Sequence, residues 1–422
     1  MDPRQERGMV IAATARLTKK GATWLVPSQS QPTKYVVVLN DEGGFCTCPD
    51  YAKTGRTCKH QWAVQIVIKR ETNAEGETTI TGGFRVSYAQ QSWSAYNEAQ
   101  TEEKELFMKL FRELCAGIVQ PPQKRGRPRL PLADMVFAAG LKVYRGNSAR
   151  RFIGDLKEAQ DKGLVAKVTH FNSVLNYLED ERITPALQQM ISISALPLKA
   201  VETDFAVDST GFSSTQLVGQ WKGAKYGERH LRVEHDWLKA HCMTGVKTNV
   251  VVAVEIGDAN SGDCPRFRPL LESTTALFDV RRVLGDKAYL SYDNLDFAAE
   301  KGVVPFIAFK DNSTGNSNSE TWDKLFHFYS FHRQEFMHAY HKRSNVESTF
   351  SAIKRVFGDF VRSKGKTAQI NEVLLKILCH NIRQVIFAIY ELGITPAFPA
   401  NALPASLSQP SPSLRVPFGS MG

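Results

Sequence analysis

A short segment rich in cysteine constrains the fold of this chain more than any other feature. Three of the seven cysteines and one histidine fall within it, in two pairs with one-residue spacing: Cys46-Thr-Cys48 and Cys58-Lys-His60. Three thiolates and one imidazole make a complete tetrahedral ligand set for zinc. Because the loop between the pairs is short and contains Gly55, the chain can turn back and bring the four ligands together. The segment is therefore predicted to fold around a closed, structural Zn²⁺ site. Chance clustering in a basic loop is the alternative.

The arrangement resembles the SWIM zinc finger, whose pattern is Cys-x-Cys, a spacer and then Cys-x-His. The resemblance includes the text that follows the first pair, Cys48-Pro-Asp-Tyr51. It implies that residues 1–72 form a zinc-finger module that binds DNA or protein, since a site with four protein ligands has no open position for chemistry. The other cysteines are expected to be core or inert thiols: Cys115, Cys242, Cys264 and Cys379.

The charge balance favours a polyanionic partner. A formal net charge of +10 at pH 7 and a pI near 9.2 suit nucleic acid, although basic proteins with other functions are common. An apolar content of 42% argues against wholesale disorder. The sequence shows no apolar run of membrane-spanning length and no apolar signal core at its start, and its cysteines are odd in number and scattered. We therefore expect a cytoplasmic protein without a signal peptide or transmembrane segment.

Residues 73–131 are predicted to be a polar linker that ends in a basic segment. Three arginines surround a Gly-Pro pair there: Arg125, Arg127 and Arg129. Gly126 allows close approach of the backbone and Pro128 keeps the segment extended, which suits the narrow minor groove of A·T tracts. The segment resembles an AT-hook, whose core is Arg-Gly-Arg-Pro. A solvated basic linker is the alternative.

Residues 132–198 have a helical pattern and are predicted to contact DNA. Arg150 and Arg151 lie among apolar residues, and Thr169 is a candidate N-cap for the helix that follows. That helix carries an i, i+3, i+4, i+7 apolar stripe: Phe171, Val174, Leu175 and Leu178. The pattern fits a small helix-turn-helix unit, and an ordinary helical bundle is the alternative.

Two acidic residues follow apolar segments that are predicted to be strands. The segment ending at Val207 leads to Asp208, and the one ending at Gly285 leads to Asp286. A carboxylate at the end of a buried strand is poorly solvated unless a cation or a donor meets it. Each residue alone has a simpler interpretation as a turn or helix cap, so the pair is the stronger evidence for an acidic site.

A third acidic residue lies in a helix predicted near the end of the chain. Four residues point in similar directions at helical periodicity: Tyr340, Arg343, Glu347 and Lys354. An apolar stripe lies beside them: Val346, Phe350, Ile353 and Phe357. One edge of the helix is therefore expected to pack inward while the next presents the four polar groups together. An i, i+4 ion pair between Arg343 and Glu347 on a solvated face is the alternative.

The spacing of these four residues resembles a signature of insertion-sequence DDE transposases, and it matches that signature without departure. The resemblance extends over about residues 200–392, including Asp208-Ser-Thr-Gly211 and Asp286-Lys-Ala-Tyr289. It implies an α/β, RNase H-like fold for residues 199–392, in which helices flank a mixed sheet. The expected strands lie near 203–208, 235–243, 248–256, 281–286 and 303–309. In two respects the chain departs from the family: it has no room for the β-rich insertion of some relatives, and the zinc finger is not usual.

The resemblance also implies a chemistry. Asp208, Asp286 and Glu347 would bind two Mg²⁺ or Mn²⁺ ions, since hard cations prefer carboxylates, while Arg343, Lys354 and Tyr340 would hold phosphates. The implied activity is cleavage of DNA at the ends of a mobile element and strand transfer into target DNA. The resemblance also implies that at least a dimer forms when two DNA ends are paired. The expected location is a bacterial or archaeal cytoplasm. A catalytically idle, domesticated DNA-binding protein and a nuclease that cuts without joining remain alternatives.

Two further expectations concern the remaining polar segments. Residues 393–422 are rich in Pro, Ser and Ala and are predicted to be a disordered tail. His230, His235 and His241 are expected to contact solvent or the DNA backbone rather than a metal ion.

Overall fold

The computed structural model describes the chain at these residues: 3–21, 23–29, 31, 33–40, 43–72, 92–123, 126, 128–214 and 237–399. The chain forms two compact units, Met1–Gln91 and Ser92–Gly422, here called the N-terminal and C-terminal units. Several predicted features lie outside the described residues: 73–91 of the linker, Arg125, Arg127, His230, His235 and the tail from 400.

The N-terminal unit is a small antiparallel sheet covered by helices. Its elements, in chain order, are α1 (Pro3–Thr14), β1 (Thr18–Lys20), β2 (Thr23–Pro27), β3 (Lys34–Asn40), β4 (Gly43–Cys46), α2 (Pro49–Thr54) and α3 (Lys59–Thr72). The four strands follow chain order in the sheet. Trp24 and Val26 alternate with half-buried residues along β2, so one face of the sheet is buried. Ala63 and Val64 of α3 belong to the same small core.

The C-terminal unit begins with a group of helices: α4 (Trp93–Ala116), α5 (Leu132–Arg145), α6 (Ile153–Asp161), α7 (Phe171–Leu178) and α8 (Ile183–Ala195). The prediction of a polar linker over residues 73–131 is wrong for α4. The first half of α4 is polar, but its second half carries an apolar stripe, in which Phe107, Phe111 and Leu114 are buried. Phe111 packs so closely on α5 that a Cβ added at Gly140 would lie 2.1 Å from its ring.

These helices and the sheet that follows share one hydrophobic core. Residues 132–198 are helical as expected, but the predicted boundary at 198/199 does not separate two bodies. The N-cap of α7 is His170 and not Thr169, because the His170 Nδ1 atom accepts the N–H of Asn172. Val174 and Leu178 of the predicted stripe are buried, so α7 packs by the face that the sequence indicates.

A five-stranded mixed sheet forms the centre of the C-terminal unit. Its strands are β5 (Asp204–Ser213), β6 (Trp237–Gly245), β7 (Val251–Asp258), β8 (Arg282–Gly285) and β9 (Val304–Ile307). Their order in the sheet is β7-β6-β5-β8-β9. The β5–β6 and β6–β7 pairs are antiparallel, whereas β5–β8 and β8–β9 are parallel. The predicted α/β fold, a mixed sheet flanked by helices, is confirmed.

The remaining helices, in chain order, are α9 (Phe267–Thr275), α10 (Tyr292–Glu300), α11 (Glu320–Phe331), α12 (Arg333–Tyr340), α13 (Ser344–Phe357) and α14 (Lys366–Leu392). Among the described helices, α14 has the length and apolar composition of a membrane span, but 72% of its most apolar window is buried within the protein. This burial is typical of a core helix in a globular domain.

Buried polar side chains of α14 form hydrogen bonds with the backbone of neighbouring segments. The Glu372 carboxylate accepts the N–H of Arg362 at 3.0 Å, and the Lys376 ammonium donates to the carbonyl of Gly358 at 3.1 Å. Asn381 accepts the N–H of Val251 on the edge strand β7 at 2.8 Å. These side chains satisfy backbone groups that would otherwise be buried without partners.

Candidate active site and zinc centre

The four predicted zinc ligands come together in the N-terminal unit. Cys46 ends β4, Cys48 is the N-cap of α2, Cys58 precedes α3, and His60 lies in its first turn. All four are buried, and their potential ligand atoms lie within 4.8 Å of one another. The sharp turn that this requires ends α2 at Gly55, which has a left-handed backbone conformation (φ 64°).

The geometry fits a zinc ion. His60 Nδ1 lies 3.9 Å from the sulfur atoms of both Cys46 and Cys58. Metal–ligand bonds of ordinary length at tetrahedral angles place sulfur and nitrogen ligands about 3.6 Å apart. The ring of Tyr35 packs against the imidazole, with 4.7 Å between the ring centroids. His60 is therefore oriented with Nδ1, and not Nε2, towards the thiols.

The ionisation of the thiols also fits a cation at this site. The hydrogen bond to Cys58 and burial raise the pKa of Cys46, and burial raises that of Cys48. The hydrogen bond with Cys46 lowers the pKa of Cys58 to about 4, although its burial acts in the opposite direction. The protein alone therefore favours one thiolate, whereas a zinc ion binds all three cysteines as thiolates.

Asp208 lies at the centre of the five-stranded sheet. β5 continues to Ser213, so Asp208 is within the strand and not at its end as predicted. The parallel pairing of β5 with β8 stops at Val207 and Gly285, and Asp286 is the next residue after β8. Asp208 and Asp286 therefore stand at the same level on adjacent strands.

The Asp208 carboxylate is partly buried and held by two donors. Its Oδ1 atom accepts the N–H of Ser209 at 2.8 Å, and its Oδ2 atom accepts from Arg343 Nη1 at 2.9 Å. Burial raises its pKa, and the charges of Asp286 and Glu347 act in the same direction, while Arg343 opposes them. The charges of Asp286 and Glu347 are thus close enough to act on Asp208.

Arg343 connects two of the three acids. Its Nη2 atom donates to Glu347 Oε1 at 2.6 Å while Nη1 donates to Asp208. Arg343 lies in a 3₁₀ turn between α12 and α13, and the preceding Lys342 ammonium lies 3.7 Å from the buried Asp204 carboxylate of β5. The turn is thereby held against the sheet, and it brings Glu347, in the first turn of α13, towards Asp208.

Asp286 occupies a different environment. Its carboxylate caps the 3₁₀ turn Lys287–Tyr289 by accepting the N–H of Ala288 at 2.9 Å. Among the described residues, only the cysteine and histidine cluster brings three or more potential metal ligands within 4.8 Å of one another. The carboxylates of Asp208, Asp286 and Glu347 therefore surround the site without converging as tightly as the thiols.

The prediction that one helix carries Tyr340, Arg343, Glu347 and Lys354 is wrong, because α12 ends at Tyr340 and the 3₁₀ turn separates it from α13. The turn still places the Arg343 guanidinium 5.8 Å from the centroid of the Tyr340 ring. Lys354 contacts a different group, since its ammonium lies 5.7 Å from the centroid of the Phe212 ring on β5. Burial lowers the pKa of Lys354, although Asp359 opposes this effect.

The structure describes only part of the predicted DNA-binding segments. Arg129 lies in the described part of the AT-hook-like segment, where its N–H donates to the Gln123 side chain at 3.2 Å. Arg150 lies over the ring of Phe171, 5.1 Å from its centroid. Contact of these residues with DNA stays a prediction.

The sequence analysis missed a buried polar cluster near Asp208. His241, expected to meet solvent or DNA, is fully buried on β6, and its Nδ1 atom lies 3.2 Å from Asp263 Oδ1. The Lys239 ammonium donates to Asp263 Oδ2 at 2.8 Å. The alternation along β6 indicates that Lys239 and His241 share a face, but no local signal links Asp263 to that strand.

Comparison with known families identifies both parts of the chain. Residues 199–382 match the family model of the transposase DDE domain, and residues 35–68 match that of the SWIM zinc finger. No curated protein and no solved structure matches the chain. The first match includes Asp208, Asp286 and Glu347, and the second includes all four cysteine and histidine ligands. The chain therefore carries a transposase DDE domain behind an N-terminal SWIM zinc finger.

Proposed function

We propose that the protein is a DNA transposase in which Asp208, Asp286 and Glu347 bind the divalent cations needed for phosphodiester cleavage. The observation that carries the proposal is the Arg343 bridge between the Asp208 and Glu347 carboxylates, at the level where Asp286 follows the adjacent strand. The transposase DDE domain that contains these residues supports a nucleic-acid-cleaving function.

The donor set suits Mg²⁺ or Mn²⁺, because hard cations prefer carboxylate oxygens. Bound there, such ions would supply Lewis-acid stabilisation of phosphate charge and a nucleophile at neutral pH. Burial and the neighbouring acids raise the pKa of Asp208, so its charged form is stabilised by little except Arg343 and the Ser209 N–H. A site with this surplus of negative charge is suited to cations.

Arg343 is proposed to bind a phosphate beside the scissile bond. Its planar guanidinium has five N–H donors, and the two hydrogen bonds to carboxylates leave others for a phosphate oxygen. The Tyr340 ring packs beside the guanidinium and restricts its orientation, and its hydroxyl is proposed to donate to the same phosphate. Lys354 of α13 lies beside Phe212, which is farther along β5 than Asp208, and is proposed to contact a phosphate outside the reacting centre.

Recognition of the element ends is assigned to the N-terminal parts of the chain. The SWIM zinc finger supports DNA binding, and Zn²⁺ is proposed to stabilise its fold through Cys46, Cys48, Cys58 and His60. Arg125, Arg127 and Arg129 are proposed to enter the minor groove, where a narrow groove attracts arginine. Joining two ends to one target requires two catalytic sites, so we propose a dimer or a larger assembly in the cytoplasm.

Cleavage and joining of DNA by the zinc-loaded protein test this proposal. The substrate is a plasmid that carries the DNA flanking the gene, incubated with Mg²⁺ or Mn²⁺. We expect cuts at defined positions and joined products with the wild-type protein, and neither with Asp208→Asn. Asp258→Asn is a matched control, because Asp258 is an exposed residue at the end of β7.

The outcomes separate the proposed function from its alternatives. Cuts without joined products would identify a nuclease. Tight binding to the flanking DNA without any cut would identify a DNA-binding protein that has lost catalysis. Cuts that persist in Asp208→Asn would show that other residues bind the cations.

A further inference from the structure

The turn of residues 246–249, here called the β6–β7 turn, is fixed by hydrogen bonds from outside its own hairpin. The Glu202 carboxylate, in the segment before β5, is fully buried and accepts the N–H of Lys247 at 2.9 Å. The N–H of Val246 donates to the carbonyl of Asp204 at 3.0 Å. Because Asp204 is the first residue of β5, the turn is anchored to the strand at the centre of the sheet.

Two side chains of α13 contact the β6–β7 turn. The Asn345 amide donates to the carbonyl of Val246 at 2.7 Å, and the Thr349 hydroxyl donates to Asn249 Oδ1 at 3.3 Å. Asn345 and Thr349 are four residues apart, so they lie one above the other on the same face of the helix. One edge of α13 is therefore joined to the turn by polar contacts.

Asn249 also connects the turn to α14. Its backbone has a left-handed conformation (φ 58°), which asparagine adopts more readily than most residues. Its carbonyl accepts a hydrogen bond from Nε2 of the buried His380 at 2.9 Å. The turn is thus held by β5 and α14 as well as by α13, which makes it a rigid support for the helix that carries Glu347.

Asn345 and Glu347 lie on opposite edges of α13. At about 100° per residue their directions differ by about 160°, and the buried Val346 lies between them. On the Glu347 edge, Arg343 joins the start of the helix to Asp208 at 2.9 Å. On the other edge, Asn345 joins the helix to the turn. Rotation of α13 about its axis, which would move Glu347 relative to Asp208, is therefore opposed on both edges.

The apolar face of α13 does not by itself define this rotation. Apolar contacts are non-directional, whereas a hydrogen bond requires a narrow range of distances and angles. Asparagine is also a poorer helix former than alanine, so helix propensity does not explain its presence at position 345. What Asn345 adds to the helix is a directed contact with the β6–β7 turn.

We propose that Asn345 is a positioning residue that fixes α13 on the β6–β7 turn and thereby holds the Glu347 carboxylate in the orientation that binds a divalent cation together with Asp208. The inference rests on the proposed function, because it concerns the same cation site. Asn345 acts through the helix and touches neither the cation nor the reacting phosphate.

Binding of Mn²⁺ to the full-length, zinc-loaded protein tests the inference without relying on activity. The free Mn²⁺ concentration is followed by its electron paramagnetic resonance signal, and binding that Asp208→Asn abolishes is assigned to the carboxylate site. For Asn345→Ala we expect the Mn²⁺ dissociation constant and the Mn²⁺ midpoint of plasmid cleavage to rise together, by about tenfold, because the Val246 carbonyl loses its donor. Alanine favours the helix, so the change does not weaken α13 itself.

The matched control is Ser348→Ala on the same helix. Ser348 is exposed, and its hydroxyl donates to the Ser344 carbonyl within α13 at 3.5 Å. We expect this variant to leave the Mn²⁺ dissociation constant and the cleavage midpoint unchanged. A role of Asn345 in stability alone would lower the melting temperature and leave the Mn²⁺ dissociation constant of the folded protein as it is.

A second variant removes the other contact between the helix and the turn. In Asn249→Gly, glycine keeps the left-handed backbone without strain and retains the carbonyl that accepts from His380. The Thr349 hydroxyl keeps an acceptor, the Asn345 carbonyl at 3.1 Å. We expect a folded protein whose Mn²⁺ dissociation constant rises in the same direction. If Asn345→Ala does not fold, the Asn249→Gly result decides.

The outcomes separate the positioning role from the proposed function. An unchanged Mn²⁺ dissociation constant in folded Asn345→Ala, or in Asn249→Gly if the first variant does not fold, overturns the positioning role and leaves the proposed function intact. A rise of the same size in Ser348→Ala also overturns it. A wild-type protein that binds Mn²⁺ through Asp208 but cleaves no DNA overturns the transposase proposal alone. A wild-type protein that binds no Mn²⁺ through Asp208 overturns both.

Discussion

The zinc centre and the carboxylate site both gather potential metal ligands, but they differ in how the protein treats the charge. The four zinc ligands are buried and lie within 4.8 Å of one another. At the carboxylate site Glu347 is exposed, Asp286 caps a turn, and the Arg343 guanidinium separates Asp208 from Glu347. The first arrangement has no room for a substrate, whereas the second leaves oxygen atoms open to the solvent side.

This difference indicates that metal binding contributes to folding at the zinc centre but not at the carboxylate site. A closed cysteine and histidine site adds its binding free energy to the folding of the unit around it. An open carboxylate site is held by the protein's own contacts, here by Arg343, Lys342 and the Ser209 N–H. Loss of the metal should therefore unfold the first region and only inactivate the second.

The largest expected effect is at the zinc centre. Cys58→Ser, or chelation of zinc, should unfold the N-terminal unit, because structural zinc contributes about 10–16 kcal/mol while a domain is stable by only about 5–15 kcal/mol. Limited proteolysis of the full-length protein should then yield cuts within residues 43–72 and none within the core of the C-terminal unit. Cys264→Ser is the control, since Cys264 lies outside the cluster. A protease-resistant N-terminal unit without zinc would contradict the structural role.

The second effect concerns the carboxylate site. Glu347→Gln should lower the rate of DNA cleavage by about 10³-fold, since Lewis-acid stabilisation by a bound metal contributes several kcal/mol and each 1.36 kcal/mol is a factor of ten. DNA affinity and the melting temperature of the C-terminal unit should stay the same, in contrast to the zinc ligands. Glu335→Gln serves as the control, because Glu335 is also exposed and precedes the 3₁₀ turn. Equal losses of cleavage and of DNA binding would remove the distinction between the two sites.

The third effect concerns His241, the buried histidine beside Asp263 in the C-terminal unit. Burial lowers the pKa of His241 to about 4, although Asp263 opposes this effect. Between this value and the ordinary pKa of about 6.5, the unfolded chain binds a proton that the folded protein does not. The free energy of unfolding should therefore fall as the pH drops from about 6.5 to about 4, by about 3 kcal/mol for one such histidine.

His380 behaves in the same way, since burial lowers its pKa to about 4. Urea unfolding of the C-terminal unit between pH 4 and pH 7 should show a pH dependence that His241→Asn reduces by about half. His338→Asn, at an exposed position of α12, should leave the dependence unchanged. An identical pH dependence in His241→Asn would show that His241 does not titrate as its burial indicates.

The smallest effect is expected for Arg343→Lys. A lysine reaches one carboxylate at a time, so the bridge between Asp208 and Glu347 loses one charge-assisted hydrogen bond. We expect cleavage to fall about tenfold, corresponding to about 1.4 kcal/mol. The control is Arg333→Lys on α12, whose guanidinium packs on Tyr329, 4.6 Å from the ring centroid. A wild-type rate in Arg343→Lys would mean that the bridge only fixes α13 and does not act on the phosphate.

The zinc finger and the sheet were predictable to different extents. The ligands of the zinc finger are close in sequence, and their one-residue spacings define the site without knowledge of the rest of the chain. The strands of the sheet were predictable because apolar segments such as 203–208 and 281–286 are bounded by polar residues. The length of β5 was not predictable from the sequence, since its polar continuation to Ser213 is stabilised by pairing with β6.

Helix α4 shows why a prediction based on the polarity of neighbouring residues alone can be wrong. Its first half resembles a linker by composition, yet Tyr96 in that half stacks on Phe387 of α14, with 5.6 Å between the ring centroids, and Phe111 in the second half packs on Phe137 of α5. These contacts between distant parts of the chain make the whole segment a core helix. The break between α12 and α13 is a similar case, because helical periodicity continues through the 3₁₀ turn and the sequence shows no glycine or proline there.

The sequence by itself determined which residues are proposed to bind metal ions and carry the chemistry: the Cys-x-Cys and Cys-x-His pairs, and the acids that follow Val207 and Gly285. These patterns depend on neighbouring residues, so they can be recognised without a fold. Only the tertiary structure decided that Arg343 bridges Asp208 and Glu347, that Asp263 meets His241 across the sheet, and that Lys354 contacts Phe212. Such contacts join residues that are distant along the chain, and their partners are chosen by strand order and helix packing rather than by local spacing.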